Sequence, residues 1–176
     1  MRSAVEWVLI IAAALGVAFV VRTFLFQPFF IPSASMEPEL NVGDRIIVNK
    51  LSYRMHEINR GDVVVFVRPA CEAGGTTKDL VKRVIGLEGE TVQGRNGTVE
   101  VGGRPIPEDY LPEGQTTSDF GPVTVPEGHI WVMGDNRENS KDSRTLCNAR
   151  PTFIDEDDVL GRAFVRVWPP THLGIL

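Results

Sequence analysis

The sequence predicts a mainly β protein, in which an antiparallel β-sheet or barrel-like domain follows one N-terminal transmembrane helix. Two observations support this prediction. The N-terminus carries a long apolar run, and after residue 31 short β-branched runs alternate with turns rich in glycine and proline. The chain has 176 residues, among them 17 glycines and 12 prolines. This length is sufficient for one domain with a hydrophobic core.

The N-terminal run favours a membrane anchor. Residues 4–21 read AVEWVLIIAAALGVAFVV, and Glu6 is the only charged residue among them. A helix of this length spans roughly 27 Å at about 1.5 Å per residue, close to a hydrocarbon thickness of about 30 Å. We expect an anchor over residues 4–22, with residues 1–3 in the cytoplasm because Arg2 and the amino end are positively charged. A cleaved signal peptide is the alternative, although the run is long for one.

Extended structure is predicted for most of residues 23–176, which would form the extracytoplasmic domain. Pro28 and Pro32 make the apolar stretch after the anchor a poor helix, so we expect extended chain there. Asn-Gly and Gly-Gly pairs predict a hairpin-rich insertion at about residues 94–126. The strand candidates are residues 45–48, 63–67, 80–85, 129–133 and 162–168, with short helical turns or loops at 49–57 and 155–159.

Composition excludes some classes of partner. The net charge is −5 and no basic run is present, so no nucleic-acid partner is expected. His56, His129 and His172 show no metal-ligand spacing. Cys71 and Cys147 lie far apart and form no CxxC pair, so structural zinc is not predicted. Whether the two cysteines form a disulfide stays open, because the sequence does not give their Cα separation.

Lys82 is unusual because it lies within an apolar run, LVKRVI at residues 80–85. If its side chain points inward, burial disfavours the ammonium ion and lowers the pKa from about 10.4 toward roughly 7–8. A neutral amine can act as general base for a serine hydroxyl. On an exposed strand edge, the same lysine would keep its head group in water, and the strand alone favours this second interpretation.

A polar loop is predicted at residues 134–144, GDNRENSKDSR, between an apolar strand and the next element. Such a loop needs internal hydrogen bonds to hold one conformation. Asp142 and Arg144 are candidates for a charge-assisted pair, and Ser140 is a candidate for a contact with a lysine head group. A solvated surface loop is also compatible with this spacing.

Four motifs follow the apolar N-terminal run in a fixed order. They are PSASMEPELNVGD from residue 32, RGDVVVF from residue 60, KRVIG from residue 82 and GDNRENSKDSR from residue 134. Together they closely resemble bacterial type I signal peptidases, which are serine proteases with a Ser/Lys dyad. The resemblance extends from the anchor to the final VWP. Any single motif would be weak, but the ordered set of four is highly specific.

The resemblance implies a role for each matching residue. Ser35 is similar to the nucleophile, and Lys82 is similar to the general base that later serves as general acid. Ser33 is similar to the side-chain donor of the oxyanion hole, which would work together with the backbone N–H of Ser35. The implied supporting residues are Ser140, which would orient the lysine, and the pair Asp142 and Arg144. The resemblance implies no metal and no cofactor.

The implied reaction is removal of signal peptides from exported precursor proteins, through an acyl-enzyme, at the outer face of the bacterial cytoplasmic membrane. Members of the family cut after small residues in an A-x-A pattern. An extended substrate can pair with strand edges near residues 30–34 and 80–83, where shallow pockets admit alternate side chains. The substrate-binding candidates are Phe30, Ile31, Pro32, Ala34, Met36, Leu80 and Val81. Precursor proteins and membrane lipid are the expected partners, and the oligomeric state stays open.

Other classes of protein share some of these features. A sortase-like cysteine transpeptidase would also combine an anchor with a β domain, and it would need His56 or His129 near Cys147. An inactive membrane-tethered β binding module would need none of the catalytic residues. A cytosolic self-cleaving repressor uses similar Ser/Lys chemistry, but the predicted anchor and the absence of recognisable DNA-binding helices argue against it.

Overall fold

The computed structural model describes residues 3–20, 25–72, 77–147 and 150–176. Within these ranges it contains two α-helices, α1 Ala4–Val20 and α2 Ser52–Met55. The β-strands are β1 Phe26–Phe30, β2 Arg45–Asn49, β3 Val63–Val67, β4 Asp79–Gly86, β5 Thr91–Arg95, β6 Thr98–Val101, β7 Arg104–Pro105, β8 Phe120–Thr124, β9 His129–Met133, β10 Ile154–Asp155, β11 Val159–Trp168 and β12 Gly174–Ile175. Short 3-10 helices lie at Ala34–Met36, Glu156–Asp158 and Pro170–His172.

The strands form two antiparallel sheets. The larger sheet has the order β1-β2-β11-β3-β4-β9-β10, with β12 added to β11, and the smaller sheet has the order β7-β6-β5-β8. The prediction of a mainly β, antiparallel domain is therefore confirmed. Among the described residues the larger sheet does not close into a barrel, because its end strands β1 and β10 do not pair with each other. The hairpins at Asn96-Gly97 and Gly102-Gly103 build the smaller sheet.

The strands of the larger sheet follow the apolar pattern of the sequence closely. β3 and β9 have the bounds that were predicted, and four of the five residues of each are buried. A strand that is buried on both faces reads as a continuous apolar run, as VVVFV does in β3. β1 contains Pro28 and lies at the edge of the sheet, where a missing N–H costs no ladder hydrogen bond.

Buried side chains divide the core into three groups. One group, around Met36 and Leu40, packs between the 3-10 helix Ala34–Met36 and strands β2, β3 and β11. A second group lies around Phe66 and Ile130. The third surrounds Trp131 and combines residues of β4 and β9 with residues of β5 and β6, so it packs the two sheets together.

Helix α1 precedes the sheets and contains 17 residues, of which Glu6 is the only charged one. Its described side chains are exposed. Residues 1 and 2 of the predicted cytoplasmic end, residues 21 and 22 of the predicted anchor, and residues 23 and 24 of the predicted extracytoplasmic domain lie outside the described residues. No helix within the described ranges has both the length and the apolar character needed to cross a membrane.

A disulfide joins Cys71 to Cys147, with their Cα atoms 5.4 Å apart. Cys71 lies in the loop after β3, and Cys147 follows the polar loop of residues 134–144. The question that the sequence left open is thus answered by the fold, which brings two loops together across a sequence separation of 76 residues. The bridge ties both loops to one end of the larger sheet.

Candidate active site

Ser35 and Lys82 lie within hydrogen-bonding distance of each other. Ser35 belongs to the 3-10 helix Ala34–Met36 between β1 and β2, and Lys82 lies in the middle of β4. Lys82 Nζ donates to Ser35 Oγ at 2.6 Å and to the carbonyl oxygen of Val81 at 2.9 Å. This is the contact that a serine nucleophile and a lysine base require.

The Lys82 side chain points inward. Only 3 % of the residue is exposed, so the interpretation of an exposed strand-edge lysine does not apply. Burial lowers the pKa of Lys82 to about 8, while the negative charges of Asp142, Asp135 and Glu72 act in the opposite direction. Both hydrogen-bond partners of Nζ are uncharged oxygens. A buried ammonium without a bonded carboxylate is easily deprotonated, which suits a general base.

Backbone hydrogen bonds hold the segment that carries Ser35. The N–H of Ile31 donates to the carbonyl of Asp44 at 2.9 Å, and the N–H of Gly43 donates to the carbonyl of Ile31 at 2.9 Å. Gly43 has φ of 97°, in the left-handed region that glycine adopts without strain. The Gly-Asp pair of the first motif therefore closes the loop onto which the serine is built.

Ser33 lies beside Ser35, and the two Oγ atoms are 3.4 Å apart. The side chain is exposed toward the groove described below. A hydroxyl here can donate to an oxygen that develops negative charge on a carbonyl attacked by Ser35.

An apolar groove with a volume of about 230 Å³ runs along Ser35 and Lys82. Most of the predicted substrate-binding residues line it, namely Phe30, Ile31, Pro32, Met36, Leu80 and Val81. Ala34 lines an adjoining depression instead. β4 pairs with β3 from Asp79 onward but with β9 only from Arg83 onward, so within the described residues its first half has one unpaired edge.

The polar loop of residues 134–144 is held by a buried ion pair. Arg144 Nε donates to Asp142 Oδ1 at 2.8 Å, and Arg144 Nη2 donates to Asp142 Oδ2 at 2.7 Å. The N–H of Gly134 donates to the same carboxylate at 2.9 Å. Asp142 is completely buried, so this is a structured loop and not a solvated one.

Ser140 does not contact Lys82 by a hydrogen bond. Among the described residues its buried Oγ has no partner. The hydroxyl packs against Gly134, where an added Cβ would lie 2.2 Å from it. The second hydrogen bond of Lys82 goes to the Val81 carbonyl instead, and an orienting role for Ser140 stays a prediction.

Residues 4–168 match the protein family described as signal peptidase, peptidase S26. The chain belongs to this family. A signal peptidase I of Mycobacterium tuberculosis (strain CDC 1551 / Oshkosh) is 37 % identical to it, over 97 % of this chain and 74 % of the relative. A signal peptidase I of Bacillus licheniformis is 41 % identical, over 91 % of this chain and 86 % of the relative. A crystal structure of a signal peptidase I from Enterococcus faecalis V583 is 32 % identical and covers 61 % of this chain and 97 % of its own, with a TM-score of 0.48.

Membership in the signal peptidase family makes this chain an enzyme of the signal peptidase I class, a hydrolase. It also supports removal of signal peptides by a serine protease, with signal-peptide-bearing precursors as substrates. Within the described residues, no group of His, Cys, Asp or Glu side chains is arranged to hold a metal ion.

Arg83 and Asp135 form a pair that the sequence did not reveal as part of this signal peptidase site. Arg83 Nε and Nη2 donate to the two Asp135 oxygens at 2.8 and 2.6 Å, and Arg83 Nη1 donates to the Gly61 carbonyl at 2.9 Å. The guanidinium lies 4.0 Å from the ring centre of Tyr110. The pair ties β4 to the start of the polar loop. The sequence showed only that each of two motifs contains a charged residue. It did not show that these residues, 52 positions apart, are partners.

The sequence also did not identify Asn136, although it contacts the backbone of the segment that carries Ser35. Its N–H donates to the Ser35 carbonyl at 3.1 Å, and its Nδ2 donates to the Ala34 carbonyl at 3.0 Å. The polar loop therefore positions Ser35 directly. These two contacts join the first and fourth motifs of this signal peptidase across about 100 residues.

Proposed function

We propose that this chain is a membrane-anchored serine endopeptidase that removes signal peptides from exported precursors with a Ser35/Lys82 dyad, through an acyl-enzyme. The observation that carries the proposal is the 2.6 Å contact between Ser35 Oγ and Lys82 Nζ. Because Lys82 is buried and its pKa is lowered to about 8, about one-tenth of the enzyme has a neutral amine at pH 7, and this fraction rises to about half at pH 8.

In the first half of the reaction, the lone pair of the neutral Lys82 amine accepts the proton of the Ser35 hydroxyl. Ser35 Oγ attacks the carbonyl carbon of the scissile peptide bond and forms a tetrahedral intermediate. The Ser33 hydroxyl and the Ser35 N–H donate to the resulting oxyanion. Collapse breaks the C–N bond, and Lys82 returns the proton to the leaving amine of the mature protein, which leaves the signal peptide as an ester on Ser35.

In the second half, water replaces the departed amine. Lys82 takes a proton from this water, and the hydroxide attacks the ester carbonyl in the same oxyanion hole. Collapse breaks the ester bond, and the proton returns from Lys82 to Ser35 Oγ. The signal peptide leaves with a free carboxyl end, and the dyad is restored without any metal or cofactor.

The groove supports selection of small residues in an A-x-A pattern. A substrate strand can lie between the segment of residues 30–34 and the unpaired edge of β4. Alternate side chains of an extended strand point to the same face. The floor of the groove includes Ile31 and Met36, which are 2 % and 1 % exposed, so little depth is left for those side chains.

Helix α1 supports an anchor in the cytoplasmic membrane, with the β domain on the extracytoplasmic side. Its apolar side chains are exposed, as Val5, Leu9 and Phe19 illustrate at 63–68 % exposure. Phe26 and Phe30 are also exposed, on the edge strand β1 next to the groove. Membrane lipid is the partner that fits these side chains, and it would hold the groove where an exported precursor emerges.

The other classes that the sequence allowed receive no support from this site. A sortase-like transpeptidase needs a free Cys147 thiolate, but Cys147 is bonded to Cys71. Burying a lysine without a bonded carboxylate costs free energy. A general base needs such a lysine, whereas an inactive binding module does not.

The decisive experiment measures cleavage of a purified precursor with an A-x-A signal sequence by the full chain in detergent or lipid. Ser35→Ala is expected to abolish cleavage, because no nucleophile remains. Mass spectrometry of the wild-type enzyme, quenched in acid, is expected to find the signal peptide on the tryptic peptide that contains Ser35.

Ser118→Ala serves as the matched control, since Ser118 is exposed and lies outside the groove. It should cleave like the wild type. Cleavage by purified Ser35→Ala at the wild-type rate would show that the proposal is wrong.

A further inference from the structure

The apolar groove continues past Ser35 into a second depression, which we call the leaving-side depression. It has a volume of about 420 Å³ and shares Ser33, Ser35 and Lys82 with the groove. Its outer walls come from the loop after β3 and from the polar loop, and they consist of Arg68, Glu72, Asn139 and Lys141. The groove is lined largely by apolar side chains, whereas these walls are polar and charged.

Ser35 and Lys82 line both spaces, so a substrate that reaches the dyad can extend into each of them. If the signal peptide occupies the apolar groove and Ser35 attacks its last carbonyl, the residues after the cut must pass through the leaving-side depression. An extended chain advances about 3.3 Å per residue, so the first few residues of the mature protein are the ones that can reach these walls. This step depends on the function proposed above.

Two of the charged walls neutralise each other. Arg68 Nε lies 3.1 Å from Glu72 Oε2, and the two side chains are only 12 % and 13 % exposed. Arg68 Nη2 also donates to Thr77 Oγ1 at 2.6 Å. Because both charges are used within this pair, neither selects strongly for a charged substrate residue.

Lys141 is different from this pair. Its side chain is exposed, and no carboxylate of the described residues lies within ion-pair distance of it. Among the four residues of the outer walls, Lys141 therefore carries the one positive charge that no carboxylate of the described residues balances. The Cys71–Cys147 disulfide joins the loop after β3 to the segment that follows the polar loop, six residues after Lys141 in the sequence.

We propose that Lys141 selects the charge of the mature protein next to the cut, favouring Asp or Glu over Lys or Arg within the first three positions after the scissile bond. An acidic side chain there gains an ion pair with Lys141, and a basic side chain meets a like charge. Lys141 is thus a specificity residue for the leaving part of the substrate, whereas the apolar groove selects the part that becomes the acyl group.

The test uses peptides with one fixed A-x-A signal segment and Glu, Gln or Lys at each of the first three positions after the cut. kcat/KM is measured with the full chain. At one of these positions the wild type is expected to prefer Glu over Lys by about threefold, a size typical of an exposed ion pair. Lys141→Gln should remove this preference, and Lys141→Glu should invert it. In about 1 M salt the wild-type preference should shrink, because the screening length falls to about 3 Å.

Arg104→Glu is the control, because Arg104 is also an exposed cation but lines neither the apolar groove nor the leaving-side depression. Its Glu-to-Lys ratio at these positions should equal that of the wild type. Equal ratios in the wild type, Lys141→Glu and Arg104→Glu would overturn the inference. The function proposed above fails on a different result, namely cleavage that persists in Ser35→Ala.

Discussion

Two adjacent cations on β4, Lys82 and Arg83, are both buried but have opposite environments. Lys82 contacts only uncharged oxygens, and burial lowers its pKa to about 8. Arg83 is bonded through two nitrogens to Asp135 and lies against the ring of Tyr110. Successive side chains of a strand point to opposite faces, so one strand supplies both environments.

With Lys82 as the proposed base, the difference shows how a single strand can supply both a general base and a structural support. A buried cation without a carboxylate partner is destabilised in its charged form, which makes it a base. A buried cation with a bidentate partner keeps its charge and fixes the position of what it binds. Burial alone therefore does not identify a catalytic residue, whereas burial without a compensating charge is a stronger indication.

The largest effect is expected when the base becomes a permanent cation. In Lys82→Arg the guanidinium stays protonated and cannot accept the Ser35 proton. General-base catalysis typically contributes about 10²–10⁴-fold, so kcat/KM on an A-x-A peptide should fall by at least about 100-fold. Folded Arg83→Lys should still cleave the peptide measurably, because it keeps Lys82. Nearly full activity in Lys82→Arg would show that Lys82 is not the general base.

The supporting pair should show its effect in stability. Asp135→Ala leaves Arg83 buried without its partner, and breaking a buried pair in this way costs about 3–5 kcal/mol. The free energy of unfolding, measured with a denaturant, should fall by about this amount. Asp109→Ala removes an exposed carboxylate and should change it by less than about 0.5 kcal/mol. The interpretation of Arg83 as a support is wrong if both variants unfold alike.

Replacing Lys82 should raise the free energy of unfolding, whereas replacing Asp135 should lower it. The pKa of Lys82 falls from 10.5 to about 8 on folding, so the unfolded chain binds more protons between these pH values. The penalty is fully present below pH 8 and is relieved as the pH rises toward 10.5. Lys82→Met, which is inactive, should therefore raise the free energy of unfolding at pH 7 by up to roughly 3 kcal/mol. This gain should shrink between pH 8 and pH 10.5, and a stability loss at pH 7 would contradict the expectation.

The smallest expected effect is a shift of the pH profile. In the wild type, kcat/KM should rise with pH through an apparent pKa of about 8, which reports Lys82 in the free enzyme. The Asp142 carboxylate raises the pKa of Lys82, so Asp142→Asn should move the profile to lower pH. The Arg144 charge left uncompensated acts in the same direction. Asp109→Asn is the control, and a profile that moves to higher pH in Asp142→Asn would refute this electrostatic account.

Local patterns were sufficient for the central strands. The runs VVVFV and HIWVM predicted β3 and β9 within their observed bounds, because continuous apolar runs require burial on both faces. β8 at Phe120–Thr124 was not predicted, since FGPVT contains a glycine and a proline and is stabilised by pairing with β5. The register of such a strand depends on its partner and not on its own residues.

The sequence likewise predicted only part of the candidate site. Ordered motifs pointed to Ser35 and Lys82, but the strand around Lys82 alone favoured exposure, because side-chain direction depends on which neighbours cover the strand. The partners Asp135 and Asn136 could not be assigned, since each acts across 52 to 102 residues of sequence. The disulfide required a Cα separation of 5.4 Å that only the folded chain provides.

The Cys71–Cys147 bridge also changes the denatured state. It closes a loop that contains Lys82 and the whole smaller sheet, with a sequence separation of 76 residues. In the chain-entropy description, closing a loop of this size removes about 4–5 kcal/mol of conformational freedom from the unfolded chain. That is a large share of the 5–15 kcal/mol typical of folded proteins. The reduced chain should thus open more often and be degraded faster, so the lifetime of the enzyme depends on the thiol chemistry of the compartment that holds its β domain.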